Sequence, residues 1–237
     1  MERLPAGEGP EGGKPSVTQG PGNIGETFDS IAEAFDATRA NPWPFVGEWL
    51  SGLGPLATPL VDVGCGNGRH LALAATLGIW GLGVDISVRL LGLARNRVAA
   101  GTGLVAGDAR MLPLPDNMAA AVMAVAMLHH VPDEAGRLAV ARELRRVALP
   151  GAPVLVSVWA LDDRGVAKRA RARPDPEGDG RDLLVPWRAV EGSHVDRYYR
   201  VIGLSELTDL IARAGLAVVR AWDSGPNHVV QARNVEG

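Results

Sequence analysis

The sequence predicts a doubly wound α/β fold, a mostly parallel sheet with helices packed on both faces. Three observations predict it. Apolar runs of strand length alternate with segments of helical periodicity from Pro59 to Trp159. The first run breaks into a glycine-rich turn, Gly64-Cys65-Gly66-Asn67-Gly68, that leads straight into a helix. Polar residues or tight turns also recur at four strand ends, at Gly64, Asp85, Asp108 and His129, and ligands in such sheets bind beyond the carboxyl ends of the strands.

Met1 to Asn23 is rich in Gly and Pro and reads as a disordered tail, because it cannot bury enough apolar surface to offset ordering entropy. The folded domain is expected over residues 24–237. Ile24, Phe28, Ile31 and Phe35 share one helical face. Pro42-Trp43-Pro44 holds the next segment extended, and a helix over Phe45–Leu53 follows. Strands are expected over 59–63, 81–84, 104–106, 119–125 and 154–159. The intervening helices cover 69–77, 87–100, with Ser87 a plausible N-cap, and 133–147. A helix over 204–214 and strands over 216–222 and 228–231 close the chain, giving seven strands. Residues 161–191 break the alternation and read as a polar, structureless basic insert carrying Arg164, Lys168, Arg169, Arg171 and Arg173.

Composition narrows the class. A chain of 237 residues suits one large α/β domain with a tail, and 46% apolar residues support a sizeable core. The net charge of −3 argues against wrapping nucleic acid non-specifically, although a local basic patch can still bind RNA. One cysteine excludes an internal disulfide and fits a reducing, cytoplasmic setting. No signal peptide is read, and the longest apolar run, Ala119–Leu128, is too short to span a bilayer, so no membrane role is expected.

The glycine turn and the acids point to a nucleoside cofactor. Glycine is needed where backbone must approach a ligand closely or adopt positive φ. Asp85 follows Gly64 at the end of the second strand, where a carboxylate accepts from both ribose hydroxyls of an adenosine. That logic serves NAD as well as S-adenosylmethionine. The spacing GxGxG departs from the dinucleotide GxGxxG, and Asp108 before a Leu-Pro-Leu-Pro loop favours S-adenosylmethionine. Cys65 has no base or metal partner in sequence and reads as a small residue fitting the turn; no metal is expected.

The glycine motif after Asp62 resembles the first motif of class I methyltransferases. The peripheral segments Arg39 with Pro42-Trp43-Pro44, His129-His130, Val185-Pro186-Trp187 and Arg197-Tyr198-Tyr199 resemble more narrowly one family. These are the tRNA methyltransferases that esterify 5-carboxymethyluridine at the wobble position. Asn41 departs from the family's usual lysine, and His228 stands where a tryptophan is common. The resemblance implies a seven-stranded Rossmann-like methyltransferase sheet and S-adenosyl-L-methionine as cofactor. It assigns Asp62, Gly64, Cys65, Gly66, Asn67, Gly68, Asp85, Ile86, Asp108, Ala109, Ala126 and Met127 to that cofactor. Substrate binding and positioning fall to Arg39, His129, Trp187, Arg197 and Tyr198, with no general base, because a carboxylate acceptor is already ionised. Arg39 has two readings, a grip on the cofactor's carboxylate or on the substrate's. The implied partners are a tRNA anticodon loop and a small zinc-ribbon activator at the edge strand 104–106. A small-molecule methyltransferase and a non-catalytic cofactor-binding scaffold are the competing readings.

Overall fold

The computed structural model describes residues 24–188 and 194–235; the expected disordered tail, residues 1–23, lies outside them. The chain opens with two short helices, α1 (Ile24–Ser30) and α2 (Ala32–Thr38). The single periodic helix read over this stretch breaks at Ile31, whose ψ of 7° leaves the helical region while its side chain stays buried. Pro44 then starts α3 (Pro44–Ser51) at the first helical position, where its missing N–H costs nothing.

Strands and helices alternate from there: β1 (Leu60–Val63), α4 (Arg69–Thr76), β2 (Gly81–Asp85), α5 (Val88–Ala94), β3 (Gly103–Ala106), β4 (Ala121–Val125), α6 (Glu134–Val147) and β5 (Pro153–Trp159). The caps follow the sequence. The Ser87 hydroxyl accepts from Leu90 N–H at 3.1 Å, and Asp133 accepts from Gly136 N–H at 2.6 Å. Helix α5 is shorter than its expected span and ends at Ala94.

The insert corrects the sequence reading. Residues 161–188 are not structureless: Asp163 caps α7 (Arg164–Ala170), and β6 (Arg173–Pro174), β7 (Asp182–Arg188) and β8 (His194–Arg200) form an antiparallel three-stranded sheet in the order β6-β7-β8. The chain finishes with α8 (Leu204–Arg213), β9 (Leu216–Ser224) and β10 (Asn227–Asn234), the last two strands longer than expected.

The main sheet has seven strands in the order β3-β2-β1-β4-β5-β10-β9. Strands β1 to β5 are parallel, and β10 runs antiparallel against β5 and β9. Both faces are covered, so the central strands are apolar throughout: every residue of β1 and β4 is buried. Alternate residues go to opposite cores. Val122 and Ala124 pack with Val140 and Leu144 of α6 and Leu207 and Ile211 of α8. Ala121, Met123 and Val125 pack with Phe45, Val46 and Leu50 of α3. The order of strands aligns the carboxyl ends of β1, β2, β4 and β5 along one rim, and the insert sheet and α1 stand over it. No helix among the described residues is long and apolar enough to cross a membrane.

Candidate active site

Along that rim lies a cavity of about 670 Å³. Its floor is the turn after β1. Gly64, Gly66 and Gly68 all have positive φ, 73°, 54° and 73°, which disfavours other residues there. Space excludes side chains as well: a Cβ at Gly64 would meet Met127 at 2.7 Å, and one at Gly68 would meet Val98 at 2.7 Å. Asp85 ties the turn to β2. Its two carboxylate oxygens accept from Gly66 N–H at 2.7 Å and Ser87 N–H at 2.8 Å. Burial raises the Asp85 pKa from its ordinary value, and these two backbone donors act against that rise.

Asp62 lies beneath the turn, 1% exposed, with neither carboxylate oxygen partnered. Burial pushes its pKa up to about 8, with the neighbouring Asp85 adding to the shift. Asp108 behaves oppositely. The Arg110 guanidinium binds it as a fork and holds its carboxyl below the usual range. Ala126, at the end of β4, has φ 56°, a strained value for a residue with a Cβ, and lines the cavity beside Met127. The cofactor residues expected from sequence converge here: Gly64, Cys65, Gly66, Asn67, Asp85, Ile86, Asp108, Ala109, Ala126 and Met127 all line the space. Asp62 and Gly68 shape the turn from behind.

Helices α1 and α2 roof this end. Asp29 accepts from the Ser87 hydroxyl at 2.6 Å and from Arg89 N–H at 3.0 Å. Glu33 pairs with Arg89, and Asp36 pairs with Arg97 at 2.7 Å. Asn67 donates to Asp36 at 2.9 Å and to the Arg39 carbonyl at 3.0 Å, fastening the roof to the glycine turn.

The substrate end holds three arginines. Arg39, Arg69 and Arg197 line the cavity, and none has an acidic partner among the described residues. Three arginines of the insert sheet and its flanks are instead paired with acids: Arg173 with Asp196, Arg181 with Glu206, and Arg200 with Asp179 and Asp182. Arg197 is 3% exposed with its Nε unpartnered. Its guanidinium sits 4.4 Å from the Trp187 ring centre and 5.1 Å from that of Tyr199. Arg39 lies 5.0 Å from the same Trp187 ring. Arg69 opens α4 directly after the glycine turn, 5.8 Å from the Trp43 ring, and burial pulls its pKa down to about 10, still charged at neutral pH.

Two sequence expectations shift by one residue. His129 is fully buried and does not line the cavity; its Nδ1 accepts from Trp159 N–H at 3.2 Å and its ring stacks on Tyr199 at 4.6 Å. Of this pair His130 reaches the space, which His70 also lines, and its Nδ1 lies 2.9 Å from the Tyr198 carbonyl, an arrangement in which Nδ1 carries the proton. Burial, aided by Arg197, holds its pKa down to about 3, so it is neutral. Tyr198 likewise faces away, donating to Asp182, and Tyr199 lines the cavity in its place. Trp187 does not line the space itself but braces Arg39 and Arg197 at its wall, beside Phe35. Sequence reasoning missed Arg69, His130, Tyr199 and Phe28. The two-residue period of β8, which puts Arg197 and Tyr199 on one face and Tyr198 on the other, was the available signal for one of them.

A seven-stranded sheet closed by an antiparallel β10, with a glycine turn after β1 and an acid ending β2, defines a class I methyltransferase. Residues 61–156 match the methyltransferase domain family. A Schizosaccharomyces pombe tRNA (carboxymethyluridine(34)-5-O)-methyltransferase is 28% identical over 83% of this chain and 89% of that protein. An Encephalitozoon cuniculi protein named as a methyltransferase is 31% identical over 81% of this chain and 86% of its own length. The chain belongs to the tRNA carboxymethyluridine methyltransferase family. Among solved structures, the CcbJ methyltransferase from Streptomyces caelestis shares the fold with a TM-score of 0.70 at 21% identity, over 89% of this chain and 98% of that one. A complex between the Haloferax volcanii Trm112 methyltransferase activator and a methyltransferase also matches, with a TM-score of 0.65 at 16% identity, over 90% of this chain and 98% of that one.

Proposed function

We propose that this enzyme methylates the carboxylate of 5-carboxymethyluridine at the wobble position of tRNA. The observation that carries this reading is the pair Arg39 and Arg197, two cations without an acid, bracing one tryptophan at the wall of the cavity. Such a pair suits an acceptor that arrives as an anion. S-adenosylmethionine, when bound, supplies a methyl group on a positively charged sulfur. The residues fit that group: the glycine turn leaves room for its backbone-like methionine part, Asp85 keeps lone pairs for the ribose hydroxyls, and Asp108 is an ionised acceptor for the adenine amino group. Arg69, beside the turn, takes the methionine carboxylate, which leaves Arg39 and Arg197 for the substrate. No residue needs to remove a proton, because the acceptor is ionised well below neutral pH, with a pKa near ~4. The protein's work is to orient the carboxylate in line with the departing sulfur and to exclude water.

The basic insert supports a nucleic-acid acceptor. Arg164, Lys168, Arg169 and Arg171 are exposed on and after α7, with no ion pair among the described residues, a surface for phosphates rather than bases. The edge position of β3 and the Trm112 complex among the fold relatives support a small zinc-ribbon activator docking along that strand.

The test is methyl transfer to an anticodon stem-loop carrying 5-carboxymethyluridine, followed by mass spectrometry of the nucleosides. Formation of the methyl ester at the wobble uridine is the expected result. Transfer to small carboxylic acids with none to this RNA, in the presence of the activator, would overturn the reading.

A further inference from the structure

The cavity joins two features that bear on what happens after transfer. Its substrate end is cationic, with Arg197 almost wholly buried and Arg39 and Arg69 partly exposed. Arg197 is 3% exposed, its Nε has no partner among the described residues, and Arg39 lies close enough to lower the pKa of both Arg197 and Arg69. The groups that could balance this charge are committed or neutral. Asp196, next in sequence to Arg197, is paired with Arg173, and Asp182 with Arg200 and Tyr198. His129 and His130 are neutral imidazoles, and Asp85 is engaged with backbone amides. Among the described residues no ion pair ties Arg39, Arg69 or Arg197 to an acid, and Asp62, mostly protonated beneath the turn, acts on Arg69 only through space.

We infer that this cluster reads the charge of the acceptor, so that the site holds the carboxylate and releases its ester. The inference rests on the proposed acceptor and deepens it. In the transfer, a carboxylate oxygen forms a bond to the methyl carbon, the carbon–sulfur bond breaks and its electron pair stays on sulfur. No proton moves. The acceptor loses its negative charge and the sulfur its positive charge. Before transfer the acceptor is the anion that Arg39 and Arg197 lack, and afterwards it is a neutral ester with only weaker acceptor oxygens, leaving the buried Arg197 and the half-buried Arg39 without a counter-charge. The sulfur changes in the opposite sense, since a positive centre near three arginines becomes a neutral one. The ester therefore leaves first and S-adenosylhomocysteine leaves last. The same physics excludes the primary amide of the same side chain, which matches the acid in shape but not in charge.

The experiment uses three anticodon stem-loops of one sequence, carrying the carboxymethyl, methoxycarbonylmethyl or carbamoylmethyl group on the same uridine. Each is bound to the full chain saturated with S-adenosylhomocysteine. The carboxylate RNA is expected to bind roughly ten- to a hundredfold tighter than the ester and the amide, the span of one to two charge-assisted hydrogen bonds. Arg197→Gln should bring the three affinities together near the weaker value, while its affinity for S-adenosylhomocysteine reports that the variant is folded. Equal affinities in the wild-type protein overturn the inference, and so does a preference that survives in Arg197→Gln. The wild-type comparison decides alone if the variant fails to fold. Failure of the acceptor assignment looks different: the carboxylate RNA would then receive no methyl group at all, whereas failure of this inference leaves transfer intact and removes only the discrimination.

Discussion

At the scale of single residues, Asp62 carries the clearest pH signature. Its ordinary pKa is near ~3.9, and burial raises it to about 8 in the folded protein. Between those values the folded state keeps a proton that the unfolded state has released. Stability is therefore lost as the pH rises through that window. Asp62→Asn should remove this slope: the melting temperature of the ligand-free variant, minus that of the wild type, should grow steadily from pH 5 to 8. Parallel curves would show that Asp62 is not the buried neutral acid described. His70 and His130, both held down to about 3, tilt stability the other way below pH ~6.5, equally in both proteins, and cancel in the difference. The arginines separate by ligand. Arg197→Lys keeps the charge and loses the fork, and should slow transfer by ~1.5–3 kcal/mol, roughly ten- to over a hundredfold, with cofactor affinity nearly unchanged. Arg69→Gln should do the reverse, weakening S-adenosylmethionine in calorimetry. A wild-type rate for Arg197→Lys sinks its assignment to the acceptor. At this scale the sequence is legible to the neighbourhood but not to the atom. His129-His130 and Tyr198-Tyr199 were visible as pairs, but which member faces the cavity depends on the path of β4's exit and the pairing of β7 with β8, neither of which is a local property.

At the scale of elements, the parallel strands and their helices were legible because continuous apolar runs and helical periodicity are strong local signals, as at Val122–Val125 and across α6. The insert was not. Its strands carry charged residues such as Asp182, Asp196 and Arg200 without a regular alternation, and their polar partners lie elsewhere in the insert, Arg173 for Asp196 and Tyr198 for Asp182. Read locally, that pattern looks like a solvated loop. The ordered insert makes α7 a fixed platform, and its exposed cations can be tested one at a time. Arg164→Gln, Lys168→Gln, Arg169→Gln and Arg171→Gln should each weaken RNA binding about equally for any sequence. Each should also flatten the dependence of affinity on salt by up to ~0.7–0.9 in log–log slope for a residue that meets a phosphate. The melting temperature should not move, since these side chains are exposed. Unchanged slopes in all four variants would remove α7 from the interface.

At the scale of the whole molecule, the main sheet ends in two edges, β3 and β9. Strand β3 is short, partly exposed and followed by Met111 at 79% exposure, so its unpaired backbone is open to an added strand. The purified protein alone is expected to be aggregation-prone and weakly active, and an activator of the zinc-ribbon type should raise both solubility and methyl transfer. Full activity from a monodisperse, partner-free preparation would show that β3 needs no cover. The roof formed by α1 and α2 has a consequence of another kind. Beside its buried Ile31 and Ala32, it is fastened to α5 and the glycine turn by polar bonds and ion pairs, and its outermost pair, Glu33 with Arg89, is about half exposed. Exposed pairs weaken as salt screens them, while the apolar sheet beneath does not. Raising the ionic strength is therefore expected to speed release of a bound nucleoside at salt concentrations that leave the melting temperature unchanged, which stopped-flow release measured beside thermal melts would check.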